Sequence, residues 1–261
     1  MTIPFIKAHG AGNDFLLVHG VEADYPALAR AICSRNRGVG ADGLILFTGP
    51  ARIRLFNSDG SEAELSGNGT RCAAAVLIDE GRAAESVTIE TLAGAKHVRL
   101  LERDGNRFRL EMGMGRPAYS PGHLSFPLET TKGIWPVTIL DVGNPQCAVL
   151  VDTLDFDWKE LGREIEGHPH FPRRTNVSFV LVVDQHTIEA RFYERGAGPT
   201  LSSGTGSTGA AVAAVLSGRV ESPVRVITQA GDLDLDWQGD EVRLRGPAEI
   251  TVRGEYYWAS K

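Results

Sequence analysis

Residues 66–77 read SGNGTRCAAAVL and residues 203–216 read SGTGSTGAAVAAVL. Each stretch is Ser-Gly-x-Gly, a small polar residue, and then a run built almost wholly from Ala, Val and Leu. A helix that is apolar on every side has no solvent face, so each run predicts a buried helix. Both runs stop before a glycine, Gly81 after Asp79-Glu80 and Gly218 after Leu216-Ser217, the residue type that terminates helices in the left-handed conformation. The copies lie 203 − 66 = 137 residues apart, about half of the 261-residue chain. GNDF, with Asn13, and GNPQC, with Asn144, repeat at 144 − 13 = 131 residues. Two matched pairs at nearly one offset predict a duplicated unit. The expected fold class is α/β (α+β): two pseudo-symmetric halves, each a mostly antiparallel strand barrel around a central apolar helix.

Outward from these helices, FLLVHG, GLILFTG, RIRLFNSDG, SVTIETLAG, HVRLLERDG and RFRLEMG are short apolar runs broken by turn residues. They predict strands of about four to seven residues. VTILDVG, CAVLVD, SFVLVV, TIEARFYERG, VRVITQAG, DLDLDW and VRLRG form a second such series after residue 130. TLAG and ERDGN suit tight hairpin turns. An amphipathic helix is predicted over Tyr25–Arg37, with Asp24 as its N-cap and Pro26 in its first turn. RPAYSPGHLSFPLE (116–129) holds three prolines and no period, which predicts a linker. The expected division is an N-terminal half, 1–116, that residues 252–261 can complete, and a C-terminal half, 117–251, with the site in a cleft between them.

With 42% hydrophobic and 23% charged residues, the composition is that of a folded soluble chain. A net charge of −6 and a pI near 5.7 argue against nucleic acid as a partner. No run approaches the ~18 apolar residues that span a bilayer, so no membrane partner is expected. MTIPFIKAHGAGNDF lacks the basic start and apolar run of a signal peptide, and the expected location is cytoplasmic. Cys33, Cys72 and Cys147 are too few and too scattered for a disulfide framework or a zinc site. The seven histidines form no metal signature, and EGHPHFP (166–172) predicts a solvated turn around His168 and His170. No metal is expected.

The chemistry lies at the helix starts. A first turn leaves about four backbone N–H groups without partners, and the helix dipole adds about half a positive charge there. Glycines let a ligand approach those donors, so Gly67-Asn68-Gly69 and Gly204-Thr205-Gly206 predict two anion-receiving helix starts. One such motif alone would read as a sharp strand-to-helix turn. Two copies at a half-chain offset favour a grip on a small ligand that carries a carboxylate.

HGAGNDF (9–15), GADGL (40–44), FNSDGSEAELSGNGTRC (56–72), VGNPQC (142–147), RRTNVSFV (173–180) and YERGAGPTLSSGTG (193–206) resemble, in order, the signature blocks of the diaminopimelate epimerase family. The resemblance implies an isomerase that inverts an amino-acid α-carbon without pyridoxal phosphate or any other cofactor. One residue acts as base on one face and a second as acid on the other. The implied reaction turns LL-diaminopimelate into the meso form, for lysine and peptidoglycan synthesis. The implied partner is this small amino acid, and a homodimer is left open. Carried onto this sequence, the resemblance makes Asn13, Asn57, Asn144 and Asn176 substrate-binding amides. It makes Glu194 and Arg195 holders of the substrate's polar ends, and Gly67, Asn68, Gly204 and Thr205 the helix-start donors. Taken singly, each asparagine would read as a turn or cap residue, whereas Arg195 has the fork that binds a carboxylate in bidentate fashion. The resemblance also implies that ITVRGEYYWAS (250–260) returns to the first half as its last strand.

Departures from the family pattern concern the catalytic pair. Both cysteines that precede Gly-x-Gly in the family are serine here, Ser66 and Ser203. A thiol titrates near ~8.5 and a helix start lowers it further, so one thiolate and one thiol can coexist near neutrality. A serine hydroxyl needs a neighbouring base. The modulating position that is histidine in the family is Gln146, which takes no proton at neutral pH, and a family glutamine is Gly43. Three readings stand side by side: serines introduced to trap a substrate; a natural relative acting as racemase or dehydratase on another small amino acid; or a protein that binds an amino acid without turning it over. Cys72 and Cys147 sit where the family has non-catalytic cysteines, and Cys72 lies on the apolar helix, where a core role is expected.

Overall fold

The computed structural model describes residues 1–258. The chain forms two compact units, residues 1–112 together with the chain from 246 onward, and residues 113–245. The first carries β1 (Thr2–Gly10), β2 (Asn13–His19), α1 (Tyr25–Ile32), β3 (Gly43–Phe47), β4 (Ile53–Asn57), β5 (Glu62–Ala63), α2 (Gly67–Asp79), β6 (Ser86–Thr91) and β7 (Gly94–Asp104). β8 (Arg107–Gly115) leads out of it. The second carries β9 (Ala118–Tyr119), β10 (Phe126–Thr130), β11 (Gly133–Asp141), β12 (Pro145–Val151), α3 (Trp158–Glu166), β13 (Asn176–Asp184), β14 (Thr187–Glu194) and β15 (Gly198–Thr200). It continues through α4 (Gly204–Leu216), β16 (Val224–Thr228) and β17 (Gly231–Trp237) into β18 (Val242–Tyr257), which leads back to the first unit.

The duplication is visible in the pairing. β2 runs parallel to β3 with α1 between them in sequence, and β12 runs parallel to β13 with α3 between them. In each unit two antiparallel strands follow, β3–β4–β5 and β13–β14–β15, and then the apolar helix. α2 packs on β1, β2, β6 and β7, and α4 on β11 to β14, β16 and β17, so each is wrapped by its own strands. From Cys72 to Ile78 every residue of α2 is buried, as is every residue of α4 from Gly204 to Ala214. The fold is therefore the expected one: α/β, pseudo-symmetric, with mostly antiparallel strands around two central helices. β18 pairs antiparallel with β1 as far as Tyr257, as expected of the chain's return. Ala259, Ser260 and Lys261 lie outside the described residues.

Both apolar helices begin three residues earlier than the Thr70 and Ser207 that their apolar runs suggest, because Ser66 and Ser203 are their N-caps. They end in Gly81 (φ +68°) and Gly218 (φ +72°), as the C-terminal glycines require. The predicted hairpins form at Leu92-Ala93 and Gly105-Asn106. Two expectations need correction. α1 stops at Ile32, not Arg37, because Gly38 lies on the helix end, where a Cβ would come within 2.3 Å of the Ala31 carbonyl oxygen and 2.5 Å of that of Ile32. Val39 and Gly40 then donate to the Ile32 carbonyl, turning the chain into β3. Nor is 116–129 a free linker: β9 and β10 in that stretch both pair with β11.

Strand alternation in the second unit fixes what faces what. Cys147, Val149, Val177 and Phe179 pack on Trp158, Leu161 and Ile165 of α3. Gln146, one residue out of phase with Cys147, points the other way, toward α4, where a Cβ on Gly209 would meet its Cγ at 3.0 Å.

All three cysteines are buried and unpaired. Desolvation pushes the Cys33 and Cys72 thiols up to about 12 and raises that of Cys147 too. Thiolate is therefore scarce at neutral pH. Ellman's reagent is expected to label none of the three thiols in native protein and all three in guanidinium chloride. Rapid labelling of native Cys72 or Cys147 would contradict this burial.

Candidate active site

The two helix starts carry the same local design. Ser66 (φ −129°, ψ 121°) and Ser203 (φ −140°, ψ 125°) are extended, and each hydroxyl oxygen accepts from the third helical N–H. The bonds are Gly69 N–H to Ser66 Oγ and Gly206 N–H to Ser203 Oγ, both 3.0 Å. The next N–H in each case, Thr70 or Ser207, donates to the serine carbonyl. Gly67 and Asn68, like Gly204 and Thr205, occupy the first two helical positions, whose N–H groups have no acceptor within the helix. Among the described residues, no carboxylate or imidazole hydrogen bonds to either hydroxyl. Ser66 is half-buried, while Ser203 is 3% exposed.

In the first unit, Asn68 Nδ2 donates to Asn13 Oδ1 (3.4 Å), and Asn13 Nδ2 donates to Asp42 Oδ2 (2.8 Å). Asn13, Ser66, Gly67 and Asn68 thus come together. Asn57, which ends β4 opposite Gly43, donates to Ser61 Oγ at 3.0 Å in the turn that follows. Gly43 opens β3, and a Cβ there would meet the Phe56 carbonyl oxygen at 2.8 Å, so neighbouring backbone already fills the side-chain space.

In the second unit the candidates form one network. Gln146 Nε2 donates to Asn144 Oδ1 (2.6 Å), and Asn144 Nδ2 donates to Thr205 Oγ1 (3.3 Å). The Gln146 Oε1 atom is buried without a hydrogen-bond partner. Asn176 donates to the Pro145 carbonyl (2.8 Å) and accepts from Arg195 N–H (3.1 Å), tying the Asn144 strand to the Glu194–Arg195 corner. Glu194 accepts from Thr200 Oγ1 at 2.7 Å, and Arg195 Nη1 donates to the Arg173 carbonyl at 3.4 Å.

Three supporting residues went unnoticed in the sequence. Glu166, buried at the end of α3, pairs with Arg174 and accepts from Gly196 N–H at 3.2 Å, anchoring the corner that bears Arg195. Its only sequence signal was a charge in step with the apolar residues of α3. His168 and His170 beside it form an ordered turn, with His168 Nε2 bonded to the Glu129 carbonyl at 2.8 Å. Arg71 is fully buried and donates to Asn68 Oδ1 at 2.6 Å, and its signal was a lone charge on an apolar helix. Asp42, 29 residues from Asn13, gave none.

Asp42 and Asp14 clasp each other through backbone N–H bonds of 3.0 and 3.1 Å, and Arg35 bridges both carboxylates. Burial alone would raise the Asp14 carboxyl, but hydrogen bonds from Arg35 and Lys7 outweigh it and hold the group below its ordinary range. A depressed carboxyl stabilises the fold above the unfolded value of ~3.9 and loses that contribution as pH falls through the folded value. Asp14→Asn is therefore expected to lower the urea midpoint at pH 7 and pH 5, with the gap from wild type narrowing below about pH 4. A gap that stays constant down to pH 2.5 would rule out this linkage.

With that geometry in place, comparison with known proteins is informative. The family model for diaminopimelate epimerase matches residues 5–119 and 138–251. The diaminopimelate epimerase of Pelotomaculum thermopropionicum is 42% identical over 274 residues, spanning 97% of this chain and 98% of that protein. That of Moorella thermoacetica is 39% identical with the same coverage. Among solved structures, a hydroxyproline epimerase from Agrobacterium vitis has a TM-score of 0.74 at 16% identity, covering 98% of this chain and 92% of that one. A PhzF-family phenazine biosynthesis protein from Bacillus anthracis has a TM-score of 0.68 at 18% identity, covering 98% and 99%. At those identities the likeness concerns the fold.

Proposed function

The chain belongs to the diaminopimelate epimerase family, which makes it an isomerase of the amino-acid epimerase class, and we propose that it binds LL-diaminopimelate and inverts its α-carbon slowly. The observation that carries this reading is the state of the two serines. Each sits where the family has its acid or base, and each hydroxyl oxygen is committed to a helix N–H. An oxygen that accepts such a bond is a weaker base, and among the described residues no side-chain base hydrogen bonds to it to take its proton. Gln146 does not fill that role, because an amide takes no proton at neutral pH.

Binding survives where chemistry is slow. The free N–H groups of the two helix starts suit a carboxylate. Asn13, Asn68, Asn144 and Thr205 surround those starts with further donors, and Asn176 holds the backbone of Arg195 in place. As the family resemblance implies, removal of the α-proton on one face and return of a proton on the other would need both serine positions, and no cofactor. Cytoplasmic lysine and cell-wall precursor synthesis is the corresponding role.

Incubation in D₂O with LL-diaminopimelate, proline and hydroxyproline tests the reading. Slow deuterium uptake at Cα of diaminopimelate, with appearance of the meso form, is expected. Exchange confined to a proline would give this site another amino acid. Loss of water with ketone formation would make the protein a dehydratase, and tight binding with no exchange would make it a binding protein.

A further inference from the structure

Arg71 is 0% exposed, yet its guanidinium donates only to uncharged oxygens: Asn68 Oδ1 (2.6 Å), the Gly67 carbonyl (3.1 Å) and the Pro247 carbonyl (3.2 Å). Among the described residues it pairs with no carboxylate. Burial lowers it to about 10, which still leaves it charged at neutral pH. A buried cation without a counterion is costly, and it persists here one turn inside the helix start that bears Ser66. At the other end of the same hydrogen-bond chain stands the Asp42 carboxylate, held by Arg35.

Arginine has donors and no acceptor, and an ionised carboxylate has acceptors and no donor. Between those two ends the amides have no choice of direction. Asn68 must turn its oxygen to Arg71, and hence its NH₂ to Asn13. Asn13 must turn its NH₂ to Asp42, and hence its oxygen to Asn68. The observed bonds run this way at every step. Both amide oxygens are turned inward along the chain, and each NH₂ keeps one unassigned N–H.

We propose that Arg71 and Asp42 are positioning residues that fix the direction of the Asn68–Asn13 pair, so that both amides offer their spare N–H groups and this half of the site selects a carboxylate over a neutral amide. The proposal rests on the reading that Asn13 and Asn68 hold a carboxylate of the substrate. Gly10 belongs to the same arrangement: a Cβ there would lie 3.2 Å from Arg71 Nη2 and from Asn68 Cβ, so its bareness lets β1 cross the relay.

The test uses the full chain, with calorimetric titration of LL-diaminopimelate and of its bis-carboxamide. Wild type is expected to prefer the diacid by about 10- to 100-fold, the range of one hydrogen bond to a charged group. Asp42→Asn lets Asn13 turn over and offer an oxygen, so the preference should fall about tenfold while thermal unfolding confirms a folded protein. Arg71→Lys keeps a buried cation without the three-way fork and should fall between the two. If either variant weakens both ligands equally, the residues are structural and the proposal is overturned. Side-chain amide NMR of ligand-free protein gives a second reading. Asp42→Asn should move the NH₂ signals of both Asn13 and Asn68, while that of Asn57, bonded in its own turn, stays. An unmoved Asn68 signal overturns the relay, whatever the titrations give. If wild type binds neither ligand, the substrate reading fails, and the amide signals alone decide the relay.

Discussion

The double variant Ser66→Cys with Ser203→Cys is expected to epimerise LL-diaminopimelate at least about 10²-fold faster than wild type, within the 10²–10⁴ range that a well-matched general acid–base contributes. A thiol at a helix start has its pKa lowered toward neutrality, whereas a hydroxyl with no adjacent base does not ionise usefully. The two positions also differ: Ser203 is 3% exposed and Ser66 is half-buried. Desolvation favours the neutral thiol at the first more than at the second, which suits a pair in which one group gives a proton and the other takes it. Stability should move the opposite way. Each serine is an N-cap, and replacing a good cap costs about 0.5–2 kcal/mol. Single variants should stay near wild-type activity, because one face still lacks its group. A racemisation assay with circular-dichroism melting measures both effects. Wild type turning over at an ordinary enzyme rate would refute this account of the serines, and a double variant that binds well yet stays inert would place the fault elsewhere in the site.

Local features of the fold were legible in the sequence because each has a short-range cause. Each copy of the Ser-Gly-x-Gly motif, the glycines that end α2 and α4, and the hairpins at Leu92-Ala93 and Gly105-Asn106 rest on residues within a few positions of one another. What escaped was set by chain that folds back onto an element from outside it. α1 ends at Ile32 because Gly38 folds back on its last carbonyls, and the proline-bearing stretch 116–129 is ordered by pairing with β11, itself read as a strand. The site divides the same way. The helix starts were visible in Ser-Gly-x-Gly. The bond from Asn57 to Ser61 is the turn chemistry that NSDGS announces. Asp42, Arg71 and Glu166 were missed because their meaning lies in burial and in partners across the fold.

Gly206→Ala should damage the protein far more than Gly69→Ala, although the two glycines occupy the same position in the repeated motif. Exchange of glycine for alanine inside a helix gains about 0.5–1 kcal/mol from backbone propensity. What opposes that gain differs between the units. A Cβ on Gly69 would meet the terminal methyls of Ile45 and Leu55 at 3.0 Å and Ser66 Cβ at 3.3 Å. Methyl groups at the ends of flexible side chains can move by a few tenths of an ångström. On Gly206 it would lie 2.8 Å from Phe192 Cδ1 and 3.0 Å from both Cβ and Oγ of Ser203. Phe192 is 1% exposed and cannot swing aside, so the strain falls on Ser203 and on the Gly206 N–H bond that caps α4. Overpacking of this kind costs about 1–3 kcal/mol, and a disturbed cap about 0.5–2 more. The expected result is a net loss of about 2–3 kcal/mol for Gly206→Ala against less than about 1 for Gly69→Ala, read from urea unfolding at pH 7. Because the crowding falls on the side chain at position 203, Gly206→Ala in the double-cysteine background should also cancel most of the restored epimerase rate, while Gly69→Ala should keep most of it. Equal losses from the two alanines, in stability and in rate, would mean that Phe192 yields as readily as the methyls of Ile45 and Leu55.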